Sequence, residues 1–93
     1  MSSKYEVRHN AAKSRYEVTV EGRVSVLDYQ LQGNRITFTH AGVPPALEGR
    51  GIASAMTRFA LDEAKANGYE VRALCSFVQS YIDRHPEYQA LQG

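Results

Sequence analysis

The sequence predicts an α+β domain: an antiparallel β-meander, a splayed fourth strand, a helix, a fifth strand and a short C-terminal helix. Apolar and polar residues alternate with period two through the first forty-odd positions. The pair Pro44-Pro45 closes that region. Beyond it the apolar spacing turns helical, then briefly strand-like, then helical again. A chain of 93 residues, 43% hydrophobic and 23% charged, reads as one globular domain over 1–93. Such a domain has one core and little scaffolding left for a large internal cavity.

The first strand is read from Tyr5, Val7 and His9 alternating with Glu6 and Arg8, and the second from Tyr16, Val18 and Val20 alternating with Glu17 and Thr19. β-Branched and aromatic side chains at every second place suit a half-buried pleated surface. Glu21-Gly22 turns the chain into a third strand, Arg23–Gln32. Its apolar parity changes from Val24 and Val26 to Leu27, Tyr29 and Leu31, which predicts a bulge near Val26. Gln32-Gly33-Asn34 makes the next turn. Ile36, Phe38 and His40 are then expected to share one face of a fourth strand. Connections this short join antiparallel neighbours.

Val43-Pro44-Pro45 removes two backbone donors and holds the residue before each proline extended. The hydrogen-bond ladder is expected to break there and open the strand away from its neighbour. Over 51–67, Ile52, Met56, Phe59 and Ala60 fall at helical spacing, and Ala53, Ala55 and Ala64 add propensity. Asn67-Gly68 supplies the stop. Residues 69–75 read as the fifth strand and 77–84 as the second helix, ended by His85-Pro86 with a short tail after it.

Charge narrows the classes of ligand. Eleven basic and ten acidic residues, with the signs interleaved, give a net charge of +1. Duplex-binding domains carry a clear basic excess to neutralise phosphates, so nucleic acid is not an expected partner. Cys75 is the lone cysteine and no metal-ligand spacing surrounds it, so no metal site is expected. No signal-like segment or membrane-length apolar run appears. A cytoplasmic protein without a membrane partner, a monomer or weak dimer, is the expectation.

The chemistry centres on Glu48-Gly49-Arg50-Gly51-Ile52-Ala53, between the broken strand and the long helix. A glycine-rich turn into a helix leaves N–H groups unpaired at the positive end of the helix dipole, which suits a pyrophosphate. Gly49 and Gly51 permit positive φ and close approach of a phosphate to the backbone. Ala53 is small where a ligand would pass, and Arg50 offers a charge-assisted contact. A plain tight turn into a helix would use the same residues. Neither the phosphate loop with Gly-Lys-Ser/Thr nor the three-glycine dinucleotide pattern is present.

The order of elements and the run Val-x-Pro-x-x-(Gln/Arg)-x-x-Gly-x-(Gly/Ala), carried by Val43, Pro45, Glu48, Gly51 and Ala53, resemble the GNAT acetyltransferase superfamily. The fuller run Val-Pro-Pro-Ala-Leu-Glu-Gly-Arg-Gly-Ile-Ala, with the ending Tyr-Ile-Asp-Arg-His-Pro-Glu-Tyr, is similar to its small single-domain YjdJ-type branch. The resemblance covers nearly the whole chain and is most specific over 37–88. It implies a three-layer GNAT-like fold and acetyl-coenzyme A (acetyl-CoA) as cofactor, its pyrophosphate on 49–53. The pantetheine arm would lie along the opened strand at Gly42-Val43, with the Val43 N–H toward the thioester oxygen. Glu48 departs from the usual Gln or Arg, at a position whose contact is chiefly backbone.

For catalysis, the resemblance implies a tyrosine acid for the departing thiolate at Tyr81; the same residue also suits a core aromatic. His40 is the best-placed base by residue type, or else a half-buried structural histidine. Cys75, ending the fifth strand, reads as an acetyl carrier or as a small buried apolar residue. Relatives often carry Glu where this chain has Gly42. His9 and His85 have no partner at metal-ligand spacing, and Tyr5, Tyr16 and Tyr29 read as sheet packing. The function expected is acetyl transfer to a primary amine, a protein lysine or a small amine, by direct attack. The alternatives are a non-catalytic CoA-binding module and a structural domain sharing only the fold.

Overall fold

A computed structural model describes residues 4–93. Its strands are β1 (Arg8–Asn10), β2 (Arg15–Val20), β3 (Arg23–Gln32), β4 (Arg35–Gly42) and β5 (Glu70–Ala73), and they form one sheet in chain order. The first four are antiparallel neighbours, as the short turns require, whereas β5 lies parallel to β4. The crossover between them is helix α1 (Ile52–Ala66); helix α2 (Ser76–Asp83) follows β5. A 3-10 helix, Pro86–Gln92, occupies the tail, and its buried Tyr88 donates a hydrogen bond to Asp62 Oδ1 (2.6 Å).

The helices cover one face of the sheet. Tyr16, Val18, Leu27, Phe38, Leu61 and Ile82 belong to one buried core drawn from sheet and helices alike. Outward residues such as Thr19, Val24, Gln30 and His40 are exposed. The three-layer expectation therefore reduces to two layers among the described residues. The turns between β1 and β4 are too short to hold helices for the second face.

Several expectations change in detail. β1 begins at Arg8 rather than Tyr5; Tyr5 and Val7 precede it, packed on the core edge. The bulge is not at Val26. Leu27 pairs with Ala41 and Asp28 with His40, but Tyr29 pairs with Phe38, so Thr39 is the extra residue and it lies in β4. That one residue inverts the alternation after Phe38. His40 therefore does not share a face with Ile36 and Phe38: those two are buried and His40 is exposed on the outer face.

Candidate functional site

The β4–β5 ladder runs only from Arg35–Glu70 to Phe38–Ala73. Beyond it, the Phe38 carbonyl oxygen accepts from the N–H groups of both Leu74 (2.9 Å) and Cys75 (3.0 Å). β4 continues to Gly42 beside β3 alone. The opening thus starts four residues earlier than the prolines suggested. The bulge at Thr39 and the turn of β5 into α2 separate the two strands, while the prolines end the β3–β4 pairing after Gly42.

At the far end of the opening, Pro45–Leu47 makes a 3-10 turn with Leu47 buried, which anchors the loop. Gly49 (φ 81°) and Gly51 (φ 79°) are both left-handed, and a Cβ built on either would meet no atom within 4 Å. Gly51 caps α1 without a side-chain bond. The N–H groups of Gly49, Arg50, Gly51, Ile52, Ala53 and Ser54 make no hydrogen bond within the described residues. Six bare donors at the positive end of a 15-residue helix suit an anion. The loop is held from behind: the Tyr5 hydroxyl donates to the Arg50 carbonyl oxygen (2.8 Å), and the Arg50 guanidinium pairs with Glu21 (3.2 Å).

Two cavities meet at Gly51 and Ser54. The first, of about 410 Å³, runs between β4, the loop and α2, against Ala41, Val43, Glu48, Gly49, Ala53 and Phe77. The Val43 N–H has no intramolecular partner among the described residues. The second, of about 380 Å³, continues over α1 past Tyr5, Arg50, Arg58, Phe59, Asp62 and Tyr81. The ring of Tyr81 is buried and stacks on His85 (3.9 Å between centroids). Its hydroxyl has no hydrogen-bond partner among the described residues, and burial holds its pKa above the ordinary phenol value.

The structure therefore brings together Val43, Glu48, Gly49, Gly51, Ile52 and Ala53 around the first cavity. Arg50 and Tyr81 line the second. His40 and Cys75 line neither; both lie just past the Phe38 branch point, His40 on the outer face and Cys75 half-buried against the core. A Cβ at Gly42 would come within 3.0 Å of His40 Nε2. The imidazole thus lies over the place where a side chain at position 42 would stand. Ser54, Arg58, Asp62 and Phe77 escaped the sequence reading. The first three form an i, i+4 polar stripe on α1 that resembles any solvated helix face.

The family described as GCN5-related N-acetyl-transferase matches residues 15–91, which is most of the chain. The chain belongs to this family. It carries a GCN5-related N-acetyltransferase domain, as the motif from Val43 to Ala53 implied. Protein NATD1 of Homo sapiens is 32% identical over 92% of this chain and 79% of its own length. The Gallus gallus NATD1 is 31% identical over 94% of this chain and 82% of its own. The fold matches the solution structure of a candidate GCN5-like N-acetyltransferase from Staphylococcus aureus, with a TM-score of 0.73 and 22% identity over 97% of this chain and 89% of that one. Family members generally use acetyl-CoA, and the bare amides of 49–54 suit its pyrophosphate. No helix among the described residues is long and apolar enough to cross a membrane.

Proposed function

We propose that this chain transfers the acetyl group of acetyl-CoA to a primary amine by direct attack in a ternary complex. The observation that carries this reading is the run of six unpaired N–H groups at one end of a slot that leads toward the β4–β5 split. When bound, acetyl-CoA supplies the activated acyl group. The amides of 49–54 would hold the pyrophosphate. The edge of β4 from Ala41 to Val43, left without a β5 partner, would hold the pantetheine arm, and the Val43 N–H would donate to the thioester oxygen. Because the second cavity continues from Gly51 and Ser54, the nucleotide end has room over Arg58 and Phe59.

His40 is the proposed base. An amine must be neutral to attack, and imidazole is the side chain suited to take its proton near neutrality. Its ring fills the space above Gly42, which offsets the absence of a carboxylate there. Tyr81 keeps its proton at neutral pH, but it lines the second cavity, where the nucleotide end is placed, so its position does not support the expected role as acid for the departing thiolate. Cys75, a free thiol close to the split, is the alternative acetyl carrier; normal turnover by Cys75→Ala would exclude it.

Calorimetry with CoA tests the pocket. The native chain should bind, and Gly51→Trp should abolish binding by filling the open space above the loop. Unchanged binding by that variant would sink the pocket. Thiol release from acetyl-CoA in the presence of amines separates an enzyme from a non-catalytic CoA-binding module.

A further inference from the structure

Directly across from His40 on the outer face stands Asp28. Paired residues of adjacent strands on one face have Cβ atoms about 5 Å apart, so carboxylate and imidazole border the same patch. Asp28 is half-buried, and its carboxylate has no ion-pair or hydrogen-bond partner among the described residues. A cation is nevertheless next to it in the register, because Arg15 pairs with Asp28 from the other side. Arg15 turns instead to Glu17, with Nε at 2.6 Å from Oε2, and Asn10 donates to the same oxygen (3.0 Å). Glu17 thus draws the neighbouring guanidinium away and leaves Asp28 open toward His40.

The outer face around the pair has no walls and carries exposed apolar side chains farther along it, Val24 four residues before Asp28 on β3 and Leu74 just past β5. Val24 is 45% exposed and Leu74 is 77% exposed, and neither belongs to the core cluster. Building on the function proposed above, we infer that Asp28 is the acceptor-positioning residue. It binds the ammonium of a lysine side chain presented by another polypeptide, beside the imidazole that takes its proton. Charge complementarity selects the ammonium. The open face selects the polypeptide: one carboxylate on a bare sheet gives a small free amine a single contact, whereas a lysine-bearing chain also covers Val24 and Leu74. Arg72 also projects outward, but it lies opposite Thr37, at the closed end of the β4–β5 pairing, away from the split.

The test uses the full chain, a blocked peptide carrying one lysine, and butylamine. Titrating the peptide while following backbone amide resonances needs no turnover. Shifts centred on Asp28, His40 and Val26, lost in Asp28→Asn, are expected; shifts elsewhere, or none, overturn the site. In thiol-release kinetics Asp28→Asn should raise KM for the peptide about tenfold, as expected for a lost charge-assisted bond, with kcat within about twofold. Asp28→Glu should restore most of that loss. An unchanged KM in Asp28→Asn, or no recovery in Asp28→Glu, removes the positioning role. Equal kcat/KM for butylamine and peptide overturns the polypeptide acceptor. The CoA affinity of Asp28→Asn should equal that of the native chain. Failure of the native chain to bind CoA would instead sink the underlying acetyltransferase reading, while the peptide titration still decides the Asp28 site.

Discussion

Single side chains set the positions of the reacting groups more than any cluster does. Gly42 is the clearest case. An added methyl would come within 3.0 Å of His40 Nε2, the far end of a side chain able to yield by a few tenths of an ångström. Gly42→Ala should therefore cost less than about 1 kcal/mol of stability. It should slow turnover about tenfold, since misplacing a reacting group by about 1 Å costs up to about a hundredfold. Urea titration and thiol-release kinetics, run side by side, check both halves. Away from the site, the Tyr16 hydroxyl donates to Glu63 Oε1 (2.7 Å), and His9 lies 2.8 Å from the same oxygen. Burial first, and then the bond to Glu63, hold the Tyr16 pKa well above its ordinary value of 10. A raised folded-state pKa gives stability that is complete below the unfolded value and is lost as pH climbs toward the folded one. Denaturant midpoints should thus fall above pH 10, and Tyr16→Phe should flatten that decline. An unaltered slope would show that other groups govern the alkaline limb.

The elements were largely legible because their patterns were local. The second to fourth strands of the meander, the helix over 51–67 and the stop at Asn67-Gly68 appeared within a residue or so of their positions, while the first strand began three residues late and the fifth was shorter than 69–75. So did the loop glycines: Gly49 and Gly51 each take a positive φ, the conformation for which glycine is chosen. What stayed hidden depended on partners across the sheet. Nothing in Thr37-Phe38-Thr39-His40 marks Thr39 as the extra residue, because the bulge is fixed by which residues of β3 lie opposite. The parity change in β3 hinted at an irregularity but gave the wrong strand and position. Asp28 was silent for the same reason, as only the register puts it beside His40. The cavity over α1 needed Tyr5 and Tyr81, 76 positions apart in sequence, to be brought together. At this scale the loop should be separable from the core. Leu61→Ala, deep under α1 and fully buried, should cost about 2–5 kcal/mol in urea titrations. Its CoA affinity should stay within about threefold, because Leu61 lines neither cavity. A large loss of affinity would mean that loop geometry depends on packing two turns away.

At the scale of the whole molecule, the described residues pack into one compact body. Its radius of gyration is 12.4 Å, close to the ~12 Å expected of a compact domain this size. A ligand that meets a preformed site gains from surfaces already formed. CoA at about a hundred times its dissociation constant should add about 2.7 kcal/mol, which for a domain of this length raises Tm by roughly 10–20 °C. A thermal melt with and without CoA reads that directly, and an unmoved Tm would count against a preformed site.

The extra residue at Thr39 has one more consequence. In a strand, every position displays its side chain opposite to the last, so a single inserted residue acts as a phase shift for all that follow. Deleting Thr39 would let strict alternation run from Phe38 straight to the imidazole and keep it on the outer face. Straightening the bulge with Thr39 retained would instead swing the imidazole inward among the aliphatics and turn Ala41 toward solvent. The face on which the imidazole stands is thus decided by whether the one residue between it and Phe38 is paired across the strand or absorbed as a bulge.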